Sequence, residues 1–190
     1  MEFTTFKDTL QKTLTPGRVR HIQGVFDLAG ELALLYGVDV QKAVTAAALH
    51  DIAREYDSQR LIRLAEAQAM PIDELERHAP VLLHGKVGAY IAETEWGIHD
   101  LEVLDAIRSH ITGDTKMSVM AQIVFLADFA ETGRTFGSAR FARDLCRISR
   151  ISALEYVLNQ EIVFVINQGY LVHPKTLEAR NHLLIHGDLL

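Results

Sequence analysis

Two apolar segments of the chain are interrupted by side chains of the kind that bind metals. The segment 43–55 reads AVTAAALHDIARE and places His50 beside Asp51 after a run of mostly small, apolar residues. The segment 122–134 reads QIVFLADFAETGR, and Asp128 there follows a run of large apolar residues. A carboxylate in apolar surroundings is costly unless it is paired or binds a metal. We therefore expect these polar residues to form a functional site.

A further histidine, His21, lies near the start of the first long apolar pattern. The predicted metal ligands are His21, His50, Asp51 and Asp128. With nitrogen and oxygen ligands and no cysteine, the set suits iron, manganese, cobalt or zinc with open positions for water, rather than a closed structural zinc site. An ion held in this way activates water near neutral pH, as hydrolysis of a phosphoanhydride requires. The competing interpretation is a hydrogen-bonded His50–Asp51 pair in the core, with Asp128 and His21 on helix surfaces.

The spacing of apolar residues predicts an all-α fold. They recur mostly three and four positions apart, and hairpin signals are absent. We predict about eight helices, at roughly 18–36, 39–56, 58–69, 73–78, 80–96, 100–111, 117–132 and 138–169. Gly37 and Gly97 are expected to end helices, and Asp39 to begin one. The helix that carries Asp128 is expected to begin at Ser118 or at the preceding turn, Thr112-Gly113-Asp114. The tail is expected to begin as a loop, because Pro174 disfavours helix at the residue before it, and a short extended pair there is left open.

The composition limits the class of protein. The chain has 190 residues, 48% of them hydrophobic, one cysteine and a net charge of −6. We expect a single domain over 1–190, with a metal-site core at about 18–134 and a C-terminal helical extension at about 138–190. The acidic charge disfavours a nucleic-acid polymer as partner. No leader or membrane span is evident, which predicts a cytoplasmic protein that does not contact a membrane.

The ordered residues His21, His50-Asp51 and Asp128 resemble the H…HD…D signature of the HD-domain phosphohydrolases. The stretches AAALHDIARE, LLHGKVGAYIAETEWGI, VLDAIRSHITGDTKMS and IVFLADFAETGRTF are similar, in this order, to blocks of the YqeK-like branch, and the tail HPKTLEARN resembles its C-terminal block. The resemblance implies symmetrical cleavage of diadenosine tetraphosphate and related dinucleoside polyphosphates into two ADP. It implies iron as the metal and a nucleotide as the bound partner.

The resemblance also implies roles for individual residues. Asp51, His84 and His110 are the predicted catalytic residues, and the two histidines contact phosphate or bind a second metal ion. The predicted substrate contacts are Arg18, His84, His110, Phe129, Arg134, Thr176, Arg180 and Asn181. Four other histidines are expected on the surface, namely His78, His99, His173 and His186.

The chain departs from the family pattern at three positions, and other functions stay open. Arg54 stands where lysine is commoner, Ile111 where threonine is and Thr132 where proline is. None of these is a predicted ligand, although Ile111 adjoins the pocket at His110. One alternative is another nucleotide phosphohydrolase of the HD type, such as a nucleoside monophosphate phosphatase. A second is a nucleotide-binding regulatory module that has lost turnover. A homodimer is also left open.

Overall fold

The computed structural model describes residues 2–189 and confirms the all-α prediction. Within those residues there are eleven α helices, one short 3₁₀ segment and no strand. The helices are α1 (Thr4–Leu10), α2 (Pro16–Tyr36), α3 (Val40–Leu49), α4 (Ser58–Ala67), α5 (Glu74–His78), α6 (His84–Trp96), α7 (Leu101–Ser109), α8 (Val119–Ala130), α9 (Gly137–Ile148), α10 (Arg150–Asn167) and α11 (Pro174–His186). The 3₁₀ segment Pro80–Leu83 leads directly into α6. No helix of the described part is long and apolar enough to cross a membrane.

The C-terminal part differs from the predicted single helix over 138–169. The chain breaks at Ser149, whose backbone is extended and whose side chain accepts a hydrogen bond from the Ser152 N–H to cap α10. The tail forms α11 instead of an extended pair, because Pro174 occupies the first turn and His173 caps it. Proline is well tolerated at that position, where its missing N–H has no helical partner. The N-terminal helix α1 was not predicted.

The His50-Asp51 doublet lies at a helix end rather than within a helix. The predicted helix 39–56 stops at Leu49, and residues 51–55 form turns. His50 is the residue that ends α3, and Asp51 begins the turn. Turning the chain here lets both side chains reach one point, which neighbours about 100° apart on a continuous helix do poorly.

The helices that carry the site surround a continuous apolar core. Helix α2 packs on α3 and α8, while α7 packs on α3, α6 and α8. Leu32, Leu49, Leu104 and Leu126 are fully buried between these helices. The C-terminal helices α9 and α10 pack on α8, and α11 packs on α10. The arrangement brings residues far apart in sequence to the inner ends of α2, α3, α6, α7 and α8.

Candidate metal centre and substrate cavity

Asp51 lies at the centre of four imidazole rings. Its Oδ2 atom is 3.4 Å from Nε2 of His50 and 3.7 Å from Nε2 of His21. Its Oδ1 atom is 3.2 Å from Nε2 of His84 and 3.7 Å from Nε2 of His110. Burial raises the pKa of the Asp51 carboxyl, but the neighbouring imidazole of His50, together with those of His110 and His84, brings it well below its usual range. One buried carboxylate is therefore shared by two pairs of histidines.

Three of these rings are oriented by the same local bond. Each lies within hydrogen-bond distance, through Nδ1, of the backbone carbonyl three residues earlier, at 2.7 Å for His50, 2.5 Å for His84 and 2.7 Å for His110. A carbonyl can only accept, so Nδ1 carries the proton and donates. Nε2 is then left with its lone pair towards Asp51, which is the tautomer that binds a metal through Nε2.

Nε2 atoms of the histidine cluster lack hydrogen-bond partners from the described part of the protein. Nε2 of His50 and Nε2 of His21 are buried and have no hydrogen bond among the described residues. Nε2 of His84 and Nε2 of His110 face each other at 3.1 Å, where two lone pairs repel unless a cation or proton lies between them. Because buried polar atoms normally have partners, these side chains fit divalent metal ions.

His21 joins Asp128 to a carboxylate that the sequence analysis missed, Glu131. Its Nε2 atom is 3.0 Å from Oδ1 of Asp128, and its Nδ1 atom is 3.2 Å from Oε1 of Glu131. Burial lowers the pKa of His21, but the adjacent carboxylates of Asp128 and Glu131 overcome this effect and raise it to about 9. Burial raises the pKa of Asp128, whereas the close approach of His21 and the charge of His50 hold it far below its usual range. Gly24 makes room for this arrangement, because a Cβ there would collide with the Glu131 carboxylate.

Two arginines approach the carboxylates of the cluster. Arg18 donates to Oδ2 of Asp51 at 2.5 Å, and Arg134 donates to Oδ1 of Asp128 at 2.8 Å. The start of α2, which carries Arg18, is fixed by Glu55 in the turn after Asp51. Glu55 accepts from the Thr15 N–H at 2.8 Å and from its hydroxyl at 2.6 Å.

The cluster lies at the floor of a cavity of about 840 Å³. This volume falls within the usual range for a small-molecule site. Three arginines line it, Arg18, Arg54 and Arg134, together with Asp51, His84, His110 and Asp128. Its aromatic lining consists of Phe125, Phe129, Phe136 and Phe164. The cavity therefore combines metal ligands, cationic groups and flat apolar rings, which suits a phosphorylated compound that also has an aromatic ring.

Most of the predicted site residues meet in this cavity. The four predicted metal ligands, with His84 and His110, form one cluster, and Arg18, Phe129 and Arg134 line the same space. The three predicted tail contacts do not line it. Thr176 is buried, and Arg180 donates hydrogen bonds to side-chain oxygens of Asn159 and Asn181. Substrate contact by these three stays a prediction, without support from the cavity.

Other residues of the site were missed by the sequence analysis. Arg54 lines the cavity, and its guanidinium has no hydrogen bond or ion pair within residues 2–189. Two signals pointed to Arg54, its place three residues after Asp51 and the basic residue that is common at this position in the family pattern. Glu131 likewise follows Asp128 by three, a spacing that puts both on one face of a helix end. Glu161 and Phe164 carried no local signal, since each looks like an ordinary residue of an amphipathic helix.

One of the histidines expected on the surface is buried. His173 caps α11 by accepting from the Lys175 N–H at 3.2 Å, and its Nε2 atom is 3.2 Å from Oδ2 of Asp73. It fixes the start of α11 against the start of α5. No local pattern in the sequence indicates this contact, because it joins residues 100 positions apart. The expectation was correct for His78, His99 and His186, which are exposed.

The helical fold and the His-Asp cluster define a metal-binding hydrolase-like domain, and comparison with known families agrees. The family model described as the HD domain matches residues 18–132. The chain therefore belongs to the HD-domain family. This confirms the family resemblance found in the sequence.

Two named relatives and a solved structure resemble nearly the whole chain. The chain is 37% identical to the symmetrical bis(5'-nucleosyl)-tetraphosphatase of Halalkalibacterium halodurans, over 90% of the chain and 91% of that protein. It is 33% identical to the Bacillus subtilis protein of the same name, over 92% and 94% respectively. A crystal structure from Clostridium acetobutylicum, described as a predicted HD superfamily hydrolase involved in NAD metabolism, superposes with a TM-score of 0.92 at 32% identity. It covers 97% of this chain and 98% of that one.

Proposed function

We propose that the protein is a metal-dependent hydrolase that cleaves dinucleoside tetraphosphates symmetrically and releases two nucleoside diphosphates. The observation that carries this proposal is the histidine–aspartate cluster at the floor of a cavity lined by three arginines and four phenylalanines. The cations suit a phosphate chain and the rings suit nucleobases. The names of the relatives from Halalkalibacterium halodurans and Bacillus subtilis support the same substrate.

The first metal position consists of His21, His50, Asp51 and Asp128. These residues would hold a divalent ion, which would supply Lewis-acid polarisation of a phosphoryl oxygen and a water that is nucleophilic near neutral pH. We propose iron as this ion, and the nitrogen and oxygen ligands also suit manganese, cobalt or zinc. The protein's part is to hold the imidazoles in the Nε2-ligand tautomer and to keep Asp51 and Asp128 ionised. Glu131 has a positioning role, because it accepts the Nδ1 proton of His21.

A second cation position is supported on the other side of Asp51. Ligand atoms of Asp51, His84 and His110 all lie within 4.8 Å of one another. Because the Nδ1 protons of both histidines are directed to backbone carbonyls, their Nε2 atoms face the cavity as acceptors. Acceptors cannot donate to phosphate oxygens, so we favour a second ion over direct hydrogen bonds from these rings to the phosphate chain.

The arginines divide into two groups by their partners. Arg18 and Arg134 each hold one oxygen of a metal-binding carboxylate, so each can orient that carboxylate and contact a phosphate with its remaining N–H groups. Arg54 lines the cavity without such a partner, and its full set of donors is available for phosphate. Guanidinium groups bind phosphate oxygens through charge-assisted bonds, often in pairs.

Product analysis tests the proposed reaction. Metal-loaded protein and diadenosine tetraphosphate should give ADP as the only nucleotide product. If the products are AMP and ATP instead, the enzyme cleaves the tetraphosphate asymmetrically. Release of phosphate from nucleoside monophosphates, with the tetraphosphate intact, would favour the alternative HD-type phosphatase. If no product forms and the protein binds ADP tightly, the result favours the regulatory module.

The remaining proposals concern organisation and location. We propose a single domain in which the extension after residue 138 packs on the metal-site core, supported by the burial of Leu154, Val157 and Leu158 of α10. We also propose that the protein is cytoplasmic and binds no nucleic-acid polymer. The oligomeric state stays open between a monomer and a homodimer, and light scattering of the purified protein tests it.

A further inference from the structure

Helix α10 lies beyond the residues matched by the HD-domain family, yet one of its faces forms a wall of the cavity. Six residues of α10 line the cavity. Five of them recur at helical spacings of one, three or four, namely Val157, Gln160, Glu161, Phe164 and Asn167, and the sixth is Val163. Val157 is fully buried and Asn167 is exposed, so the wall runs from the floor of the cavity to its rim. Over ten residues this distance is roughly 15 Å.

Two aromatic rings at the rim are unusually exposed. Phe164 has 57% of its surface exposed and Phe136 has 46%, although both line the cavity. Phe136 stands edge-on to the buried Phe129, with ring centroids 5.8 Å apart and planes at 85°. Exposed phenylalanine rings beside a cavity gain from being covered by a flat apolar surface, and every nucleobase has such a surface.

The carboxyl group on this wall disfavours phosphate there. Glu161 has no hydrogen bond or ion pair among the described residues, and it faces the charges of Asp128 and Arg134. Burial and the negative charge of Asp128 raise the pKa of the Glu161 carboxyl. Whether ionised or neutral, the group keeps an oxygen that accepts a hydrogen bond. Phosphate oxygens only accept, apart from any proton they carry, whereas the exocyclic amino group of a base donates.

We infer that this face of α10 recognises the nucleoside part of the substrate, with Phe164 stacking on the base and Glu161 accepting a hydrogen bond from its amino group. The inference rests on the proposed function, since it assigns the base of the same substrate. The metal cluster and arginines then hold the phosphate chain, and the C-terminal extension selects the nucleoside. The matched family core alone lacks this wall.

Calorimetry of metal-loaded protein measures the affinities for ADP and for pyrophosphate. The comparison separates the contribution of the nucleoside from that of the phosphates. Phe164→Ala should weaken ADP binding on the order of tenfold, because one stacking contact is lost, and leave pyrophosphate binding unchanged. Ile166→Ala is the matched control. Ile166 lies on the same helix and is 58% exposed, but it does not line the cavity. It should change neither affinity.

A second set of variants tests the carboxyl group. Glu161→Ala should weaken ADP binding roughly fivefold, as expected for one lost hydrogen bond, with pyrophosphate unaffected. Glu161→Gln keeps a carbonyl acceptor and should restore most of the affinity. Glu155→Ala, an exposed carboxylate of α10 outside the cavity, is the control.

The outcomes separate this inference from the proposed reaction. If Phe164→Ala and Glu161→Ala both bind ADP like the unchanged protein, the inference is overturned even where diadenosine tetraphosphate is hydrolysed. Wild-type protein that binds ADP no better than pyrophosphate overturns it as well. Selective loss of ADP binding supports the inference even where the tetraphosphate is not a substrate, and the proposed reaction alone then fails.

Discussion

His84 and His110 place their Nε2 atoms 3.1 Å apart, although they lie on different helices and 26 residues apart in sequence. The approach depends on the close packing of α6 against α7. Gly85 is at the contact, where an added Cβ would lie 2.9 Å from the carbonyl oxygen of Arg108 and 3.1 Å from that of Ile107. The backbone oxygens cannot move aside as a flexible side chain would. The geometry of this pair is therefore set by a residue that has no side chain.

Replacing Gly85 with alanine should separate the two helices. We expect Gly85→Ala to lower the free energy of unfolding by about 1–3 kcal/mol, the usual cost of overpacking, and to reduce activity more than stability alone explains. Gly88→Ala is the control. It lies one turn along α6, and its Cβ would meet only ordinary contacts at 3.5 Å or more. Urea denaturation of both variants measures the difference, and equal stability would contradict the packing argument.

Loss of His50 or Asp51 should remove metal and activity together. We expect His50→Ala and Asp51→Ala each to abolish hydrolysis while the helical content stays near that of the wild type, because both side chains are proposed metal ligands. Metal analysis and circular dichroism on the same preparations measure this. His78→Ala, which replaces an exposed histidine, should behave like the wild type. An active variant with full metal content would exclude the replaced residue as a ligand.

Much of the fold was predictable because it depends on local signals. Gly37 and Gly97 adopt left-handed conformations at helix ends, and Asp39 and Ser118 cap the helices that follow them, all as predicted. The break at Ser149 was missed because apolar residues continue across it. The break depends on how α9 and α10 pack on each other, and the spacing of apolar residues in the sequence carries no information about that packing.

The site was predictable only in part, for a similar reason. His50, Asp51 and Asp128 stood out because polar residues interrupt apolar runs. Glu131 did not, because its partner is His21, 110 residues earlier, and the packing of α2 on α8 brings them together. Glu161 looks like a solvated residue until the cavity is seen.

Glu131 is expected to control metal affinity without binding the metal. Glu131→Ala removes the acceptor of the His21 Nδ1 proton, and such losses typically reduce metal affinity about 10–100-fold. Glu131→Gln keeps a carbonyl oxygen and should recover most of the affinity. Competition with a chelator measures both, with Glu95→Ala on the exposed side of α6 as control. If the wild type and the three variants bind the metal equally tightly, Glu131 does not position His21.

Arg134 and Arg54 should differ in how their loss affects the protein. Arg54→Ala should weaken ADP binding about tenfold or more and leave metal content unchanged, because this side chain has no protein partner. Arg134→Ala should weaken ADP binding similarly, and it also frees Asp128 from a 2.8 Å hydrogen bond. ADP titration and metal analysis report the two effects, and Arg63→Ala, an exposed arginine of α4, serves as control. If an alanine variant binds ADP as tightly as the wild type, the replaced arginine has no role in binding.

The second cation position makes the sharpest prediction for His84 and His110. Replacing either with alanine should cut turnover on the order of 100-fold or more, because stabilisation of charge on the phosphate chain is lost. Metal content should fall by one ion per chain, while the ion at His50 and Asp128 remains bound. An unchanged metal count with the same loss of turnover would instead assign the rings to direct phosphate contact. Variants that keep full activity but unfold at lower temperature would show that the pair only packs the core, since both rings are buried.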